Sequence, residues 1–193
     1  MPGTFSYNVR YLSCETFNGF GVEVIRSFFL SLFAVLAIIL LITADLTTTI
    51  LVGICVFLTN LFLSGLVFFW GLTLNPITVV NIVAAIGTSV DYSAHIAYAY
   101  QTEKIPKAKL KKLDTVHKER SYKIQQALSK MGSSVFHGGF STFLAICVLA
   151  PSETYVFKVF FRLWFGIVLF GMMNGFLFLP AVLSFIGSTE IGK

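Results

Sequence analysis

Within the stretch NIVAAIGTSVDYSAHIAYAY, residues 81–100, the carboxylate of Asp91 and the imidazole of His95 stand four residues apart. On a helix that spacing places both on one face, together with Gly87 one turn earlier. The chemistry open to such a face is reversible charge uptake. A carboxyl group in a low dielectric is driven toward its neutral, protonated form, whereas a bound Na⁺ or K⁺ favours the ionised one. His95 can relay the proton or accept a hydrogen bond from Asp91. A more remote reading adds His137: three N/O donors suffice for zinc, which would make an intramembrane metal hydrolase. No HExxH occurs, and an aspartyl protease needs a second acid within the apolar spans that the sequence does not supply. The preferred reading therefore involves no enzyme chemistry, no metal and no cofactor.

A carboxylate in hydrocarbon needs a polar or close-packed neighbour. Ser134, Gly138, Ser141 and Thr142 repeat at helical spacing, with Ala145 on the same side and His137 beside them. They offer small residues for close approach and hydroxyls for Asp91. Gly171 and Gly175 form a GxxxG next to Asn174, and Pro180 is expected to bend the same helix.

The elements that carry these residues are membrane spans. Of 193 residues, 56% are hydrophobic and only 12% charged, and the mean hydropathy is +0.82. Runs free of Asp, Glu, Lys and Arg cover 27–44, 46–90, 131–152 and 163–189, each near or beyond the roughly 18 residues that suggest a span. Gly71, Asn75 and Pro76 break the second run into two crossings. The expectation is an all-α membrane protein with five helices at about 27–44, 47–70, 76–100, 133–151 and 159–187. These make a membrane domain over 27–187, preceded by an extramembrane remnant and pre-helix segment at 1–26 and followed by a short tail at 188–193. The opening residues lack the apolar core of a signal peptide and read as the tail of something longer. Three cysteines, an odd number, imply no disulfide framework.

The net charge of +5 is no nucleic-acid signature, because it is concentrated in one loop. Residues 101–130 hold nine Lys or Arg against Glu103, Asp114 and Glu119, leaving the rest of the chain at −1. By the positive-inside rule this loop and the tail are cytoplasmic, while 71–75 and 152–158 face the other side. Ile124, Ala127, Leu128 and Met131 follow the helical period, so the end of the loop should be an amphipathic helix feeding the fourth span.

The phrases GTSVDYSAHIAYAY, KIQQALSKMGSSVFHGGFSTFLAI and APSETYVFKVFFRLWFGIVLFGMMNGFLFLPAVLSFIG resemble the last three membrane helices of patched-related proteins, a group of the resistance-nodulation-division permease superfamily. The resemblance extends over roughly residues 27–187. It implies twelve spans in two six-helix repeats, of which this chain would hold five helices of the second. The family's GxxxD signature matches Gly87 to Asp91, and the resemblance implies proton or monovalent-cation coupling at that acid. It further implies a multi-pass protein of a plasma or endosomal membrane that handles membrane lipid or sterol and is partnered by a missing N-terminal permease repeat. A receptor or scaffold that keeps the fold without transport is the alternative.

Overall fold

The computed structural model describes residues 9–73, 75–105 and 116–188, with side chains described from residue 21. Lys107, Lys109, Lys111, Lys112 and Asp114 of the basic loop lie outside the described residues. So does most of the 188–193 tail. Every regular element among the described residues is helical.

The first helix, α1 (Val9–Thr43), starts well before residue 27. Ile39 is the one buried side chain between residues 21 and 43, so this helix lies along the outside of the bundle. It ends at Ala44, whose φ of 49° turns the chain. Helix α2 (Leu46–Phe69) follows at once. Asp45 caps it by accepting hydrogen bonds from the Thr48 N–H at 2.9 Å and the Thr48 hydroxyl at 2.6 Å, satisfying one of the orphan donors of the first turn. Gly71, with φ of 60°, supplies the left-handed residue of the next turn. Asn75 then caps α3 (Pro76–Thr102), whose first residue is a proline, a position where the missing N–H costs nothing.

Helix α3 is the central one. Ile86, Val90, Ile96, Ala97 and Tyr100 pack with Val52, Cys55 and Val56 of α2 in one core cluster. A second cluster joins Ile82 and Ala85 to Leu63, Val67, Val159, Leu163 and Ile167. The basic loop closes with α4 (Val116–Ala127), which passes through a π-helical segment, Leu128–Gly132, directly into α5 (Ser133–Cys147). Helix α4 is the expected amphipathic helix, with Ile124 and Ala127 buried. It also buries Glu119 and Lys123, which face each other at 3.7 Å one turn apart.

The last helical run is α6 (Tyr155–Met173), a second π-helical segment (Asn174–Phe178) and α7 (Leu179–Ile186). Pro180 lacks the N–H that would bond to the Phe176 carbonyl, and its ring clashes with that carbonyl in a regular helix. The ladder shifts accordingly, and the Leu179 N–H reaches back five residues to the Asn174 carbonyl. The bend expected at Pro180 thus takes the form of a widened turn before it.

Among the described residues four helical runs are long and apolar enough to cross a bilayer: Gly21–Thr43, Leu46–Phe69, Pro76–Thr102 and Tyr155–Ile186. The fourth of the five expected spans, 133–151, differs. Helix α5 has 15 residues and ends at Cys147, and it reaches the roughly 30 Å of a hydrocarbon core only with the five-residue π segment before it.

Hydrogen bonds mark the two ends of the bundle. At one end the Gln101 amide donates to Asp45 Oδ2 at 2.7 Å, to the Thr48 hydroxyl and to the Ser188 hydroxyl at 2.9 Å, while Tyr100 donates to the Ser188 carbonyl at 3.0 Å. At the other end the Tyr155 hydroxyl pairs with Thr73 at 2.8 Å and accepts from the Asn75 amide at 3.2 Å. The turns at 45 and 188 therefore share an end with the start of the basic loop, opposite the turns at 71–75 and 152–155.

Candidate functional site: an acid-lined cavity between α3 and α5

Asp91 and His95 lie on one face of α3 and border a cavity of about 410 Å³. Helix α3 contributes Thr88, Asp91, Tyr92 and His95 to its wall. Met131, Ser134, Val135, Gly138, Gly139 and Thr142 face it from the π segment and α5, and Trp164 closes it from α6. The cavity exists because the facing residues are small. A Cβ placed on Gly138 meets nothing within 4 Å, and the hydroxyls of Thr88 and Thr142 bond back to carbonyls of their own helices, at 3.2 Å to Ala84 and 3.0 Å to Gly138. Trp164 is held by a 2.9 Å hydrogen bond from its indole N–H to Asn81, and Asn81 in turn donates to the Ile77 carbonyl at 2.7 Å.

Asp91 is exposed and makes no hydrogen bond or ion pair to another described residue. His95 is also exposed one turn away. Among the described residues no third ionisable ligand joins them. Among the described residues no three His, Cys, Asp or Glu are grouped so as to hold a metal ion, and His137 is not part of the cavity wall. What remains is one carboxylate in an otherwise apolar and hydroxyl-lined recess, an arrangement suited to taking up a single positive charge.

The other residues singled out by the sequence divide into two places. Ser134, Gly138 and Thr142 border the cavity. Gly87 and Ser141 are exposed outside its wall, and no neighbour lies within 4 Å of a Cβ built on Gly87. Gly171 and Gly175 are buried against α3 instead. A Cβ on Gly171 would lie 2.7 Å from Tyr92 Cδ2, and one on Gly175 would lie 3.0 Å from the Tyr92 carbonyl oxygen. On α5 the close approach belongs to Gly139 and not to Gly138: a Cβ there would fall 2.6 Å from Met172 Sδ and 3.2 Å from Tyr92 Cε1. The close packing expected at Gly138 is found at its neighbour, while Gly138 itself borders the cavity. Sequence reasoning missed Tyr92, Gly139 and Trp164. The GG pair and the aromatic beside the acid were the available signals.

No protein-family model matches the chain. Individual relatives do. The chain is 34% identical over 158 residues, 82% of its length, to the Niemann-Pick type C1-related protein of Toxoplasma gondii. It is 34% identical over 188 residues, 95% of its length, to the NPC intracellular cholesterol transporter 1 of Sus scrofa. It is also 32% identical over 126 residues, 65% of its length, to Protein patched homolog 1 of Caenorhabditis elegans. The chain spans only 12%, 14% and 8% of the lengths of these three relatives. The chain is a multi-pass membrane protein that belongs to the patched-related group of the resistance-nodulation-division permease superfamily.

Proposed function

We propose that this chain supplies the ion-coupling part of a sterol or lipid permease, with Asp91 as the group that takes up and releases a proton or a monovalent cation. The observation that carries this reading is the Asp91 carboxylate, without a partner among the described residues, at the wall of an otherwise apolar, hydroxyl-lined recess on a face of a bundle of apolar helices. A carboxylate at the centre of a span costs roughly 2.5–3.5 kcal/mol on insertion scales, so it is retained where charge is used. Among the described residues it makes no bond that would give it a purely structural role. The name of the Sus scrofa relative, a cholesterol transporter, supports sterol as the substrate class.

In this reading the cavity face is closed by a second bundle, the N-terminal permease repeat, because a face carrying Asp91, His95 and Ser134 is costly against lipid. Binding a cation at Asp91 removes a net charge from the contact between the two bundles, and release restores it. The two states favour different packings, the rocking of one repeat on the other that moves substrate in repeat-built transporters. His95 tunes the acid from one turn away.

The test is Asp91→Asn in the intact protein, which keeps shape and polarity but cannot titrate. Sterol or lipid movement in cells, normalised to surface expression and followed across pH and sodium concentration, is expected to fall to background while folding is unchanged. Full activity at equal expression leaves the receptor reading in its place.

A further inference from the structure

Tyr92 is 8% exposed and belongs to two environments at once. With Asp91, to which its backbone is joined, it borders the cavity. Its ring and carbonyl also sit in a notch made by three glycines of three other elements: Gly139 of α5, Gly171 of α6 and Gly175 of the second π segment. Cβ atoms at Gly171 and Gly175 would stand 2.7 Å from the ring and 3.0 Å from the Tyr92 carbonyl oxygen. No compliant side chain therefore lies between Tyr92 and the backbone of α6. Close-packed contacts of this kind transmit displacement, and they switch between discrete packings more readily than they deform. The notch ends at the π segment, where the hydrogen-bond ladder is already shifted to the i→i−5 pattern, the kind of local widening common at functional sites.

We infer that Tyr92 is a positioning residue that conveys the charge state of Asp91 to the π segment and α7, its ring acting as a wedge in the Gly139–Gly171–Gly175 notch. This rests on the coupling role proposed for Asp91. The titratable groups facing Asp91 are His95 and Tyr92 itself, both on α3. The other elements that wall the cavity present Met131, Ser134, Thr142 and Trp164, none of them charged. Among the described residues a change at Asp91 therefore meets no ionic partner across the cavity, and Tyr92 is the contact that leads from it to α6 and the π segment.

A double-mutant cycle read by hydrogen exchange of residues 174–186 in the intact protein tests this at a single pH. Asp91→Asn should change the exchange of this segment by about tenfold in the wild-type background, within the usual range of site-to-site coupling. The same change should appear in Tyr92→Phe, which keeps the ring, and vanish in Tyr92→Ala. Tyr92→Leu, which keeps bulk but no ring, serves if the alanine variant does not fold, and should likewise lose the response. Transport separates the two proposals. If Asp91→Asn transports fully, the coupling role of Asp91 has failed. If it loses transport but leaves the exchange of 174–186 unchanged, or changes it equally when Tyr92 is Ala or Leu, the wedge is wrong and the coupling role stands. Loss of the response in Tyr92→Phe also overturns the wedge, since it would place the effect in the hydroxyl.

Discussion

At the scale of single residues, two adjacent glycines of α5 should behave oppositely. Gly138 borders open space, whereas a Cβ on Gly139 meets Met172 and Tyr92. Gly138→Ala is expected to be nearly neutral for stability, and Gly139→Val to cost roughly 1–3 kcal/mol through overpacking, read as a shift in the unfolding midpoint of the purified protein in detergent. Equal effects of the two would mean that α5 is rotated relative to the orientation described above. The pair shows how far the sequence could be read at this scale. Asp91 is legible without any structure, because a charge in an apolar run is expensive and so conspicuous. Gly138 and Gly139 are not separable, because small-residue spacing fixes the period of a helix face but not its rotation, and one residue is a turn of about 100°. Tyr92 is hidden for a similar reason. An aromatic in a span is unremarkable until the glycines that receive it are brought together from residues 139, 171 and 175.

At the scale of elements, the turns are held by polar clasps. Gln101, in the last turn of α3, ties the Asp45 cap of α2 to Ser188 beyond α7. Gln101→Leu removes the donor of these bonds while Asp45 keeps its own cap bonds to Thr48. The expected cost is about 1–3 kcal/mol, since partly buried polar groups are left without partners, and denaturant unfolding checks it. No loss of stability would mean that water replaces the amide. The helices themselves are legible from uncharged runs, and the α2–α3 break is legible from Gly71, Asn75 and Pro76. Two features of the elements are not. The apolar period of α4 reveals Ile124 and Ala127 as its inner face, but it also makes Glu119 and Lys123 look solvated, and both are buried. Their spacing of four, acid before base, is the only trace in the sequence of the pair they form. The π segments leave less trace still. Pro180 accounts for the second, while the first, Leu128–Gly132, contains no proline.

At the scale of the whole molecule, the proposed coupling at Asp91 depends on orientation, and the basic loop carries that argument. Nine Lys or Arg between residues 101 and 130 lead to the expectation, by the positive-inside rule, of a cytoplasmic loop. The Gln101 clasp then brings the α1–α2 turn and the end of α7 to the same side, and the Tyr155 contacts with Thr73 and Asn75 gather the opposite turns. Lys118 of α4 and Glu153 before α6 are both exposed, one toward each end. Single cysteines at these positions read the orientation once Cys14, Cys55 and Cys147 have been replaced by alanine. With a membrane-impermeant thiol reagent, Glu153→Cys should be labelled in intact cells or from the lumen of an endosomal compartment, and Lys118→Cys only when the reagent has access to the cytosol. The reverse pattern would invert the bundle and with it the side from which the proposed coupling ion reaches Asp91. Labelling of both positions from one side would be more damaging. It would mean that an odd number of crossings does not separate α4 from residue 153, so that α5, shorter than each of the four runs apolar enough to cross, does not span it together with the Leu128–Gly132 segment.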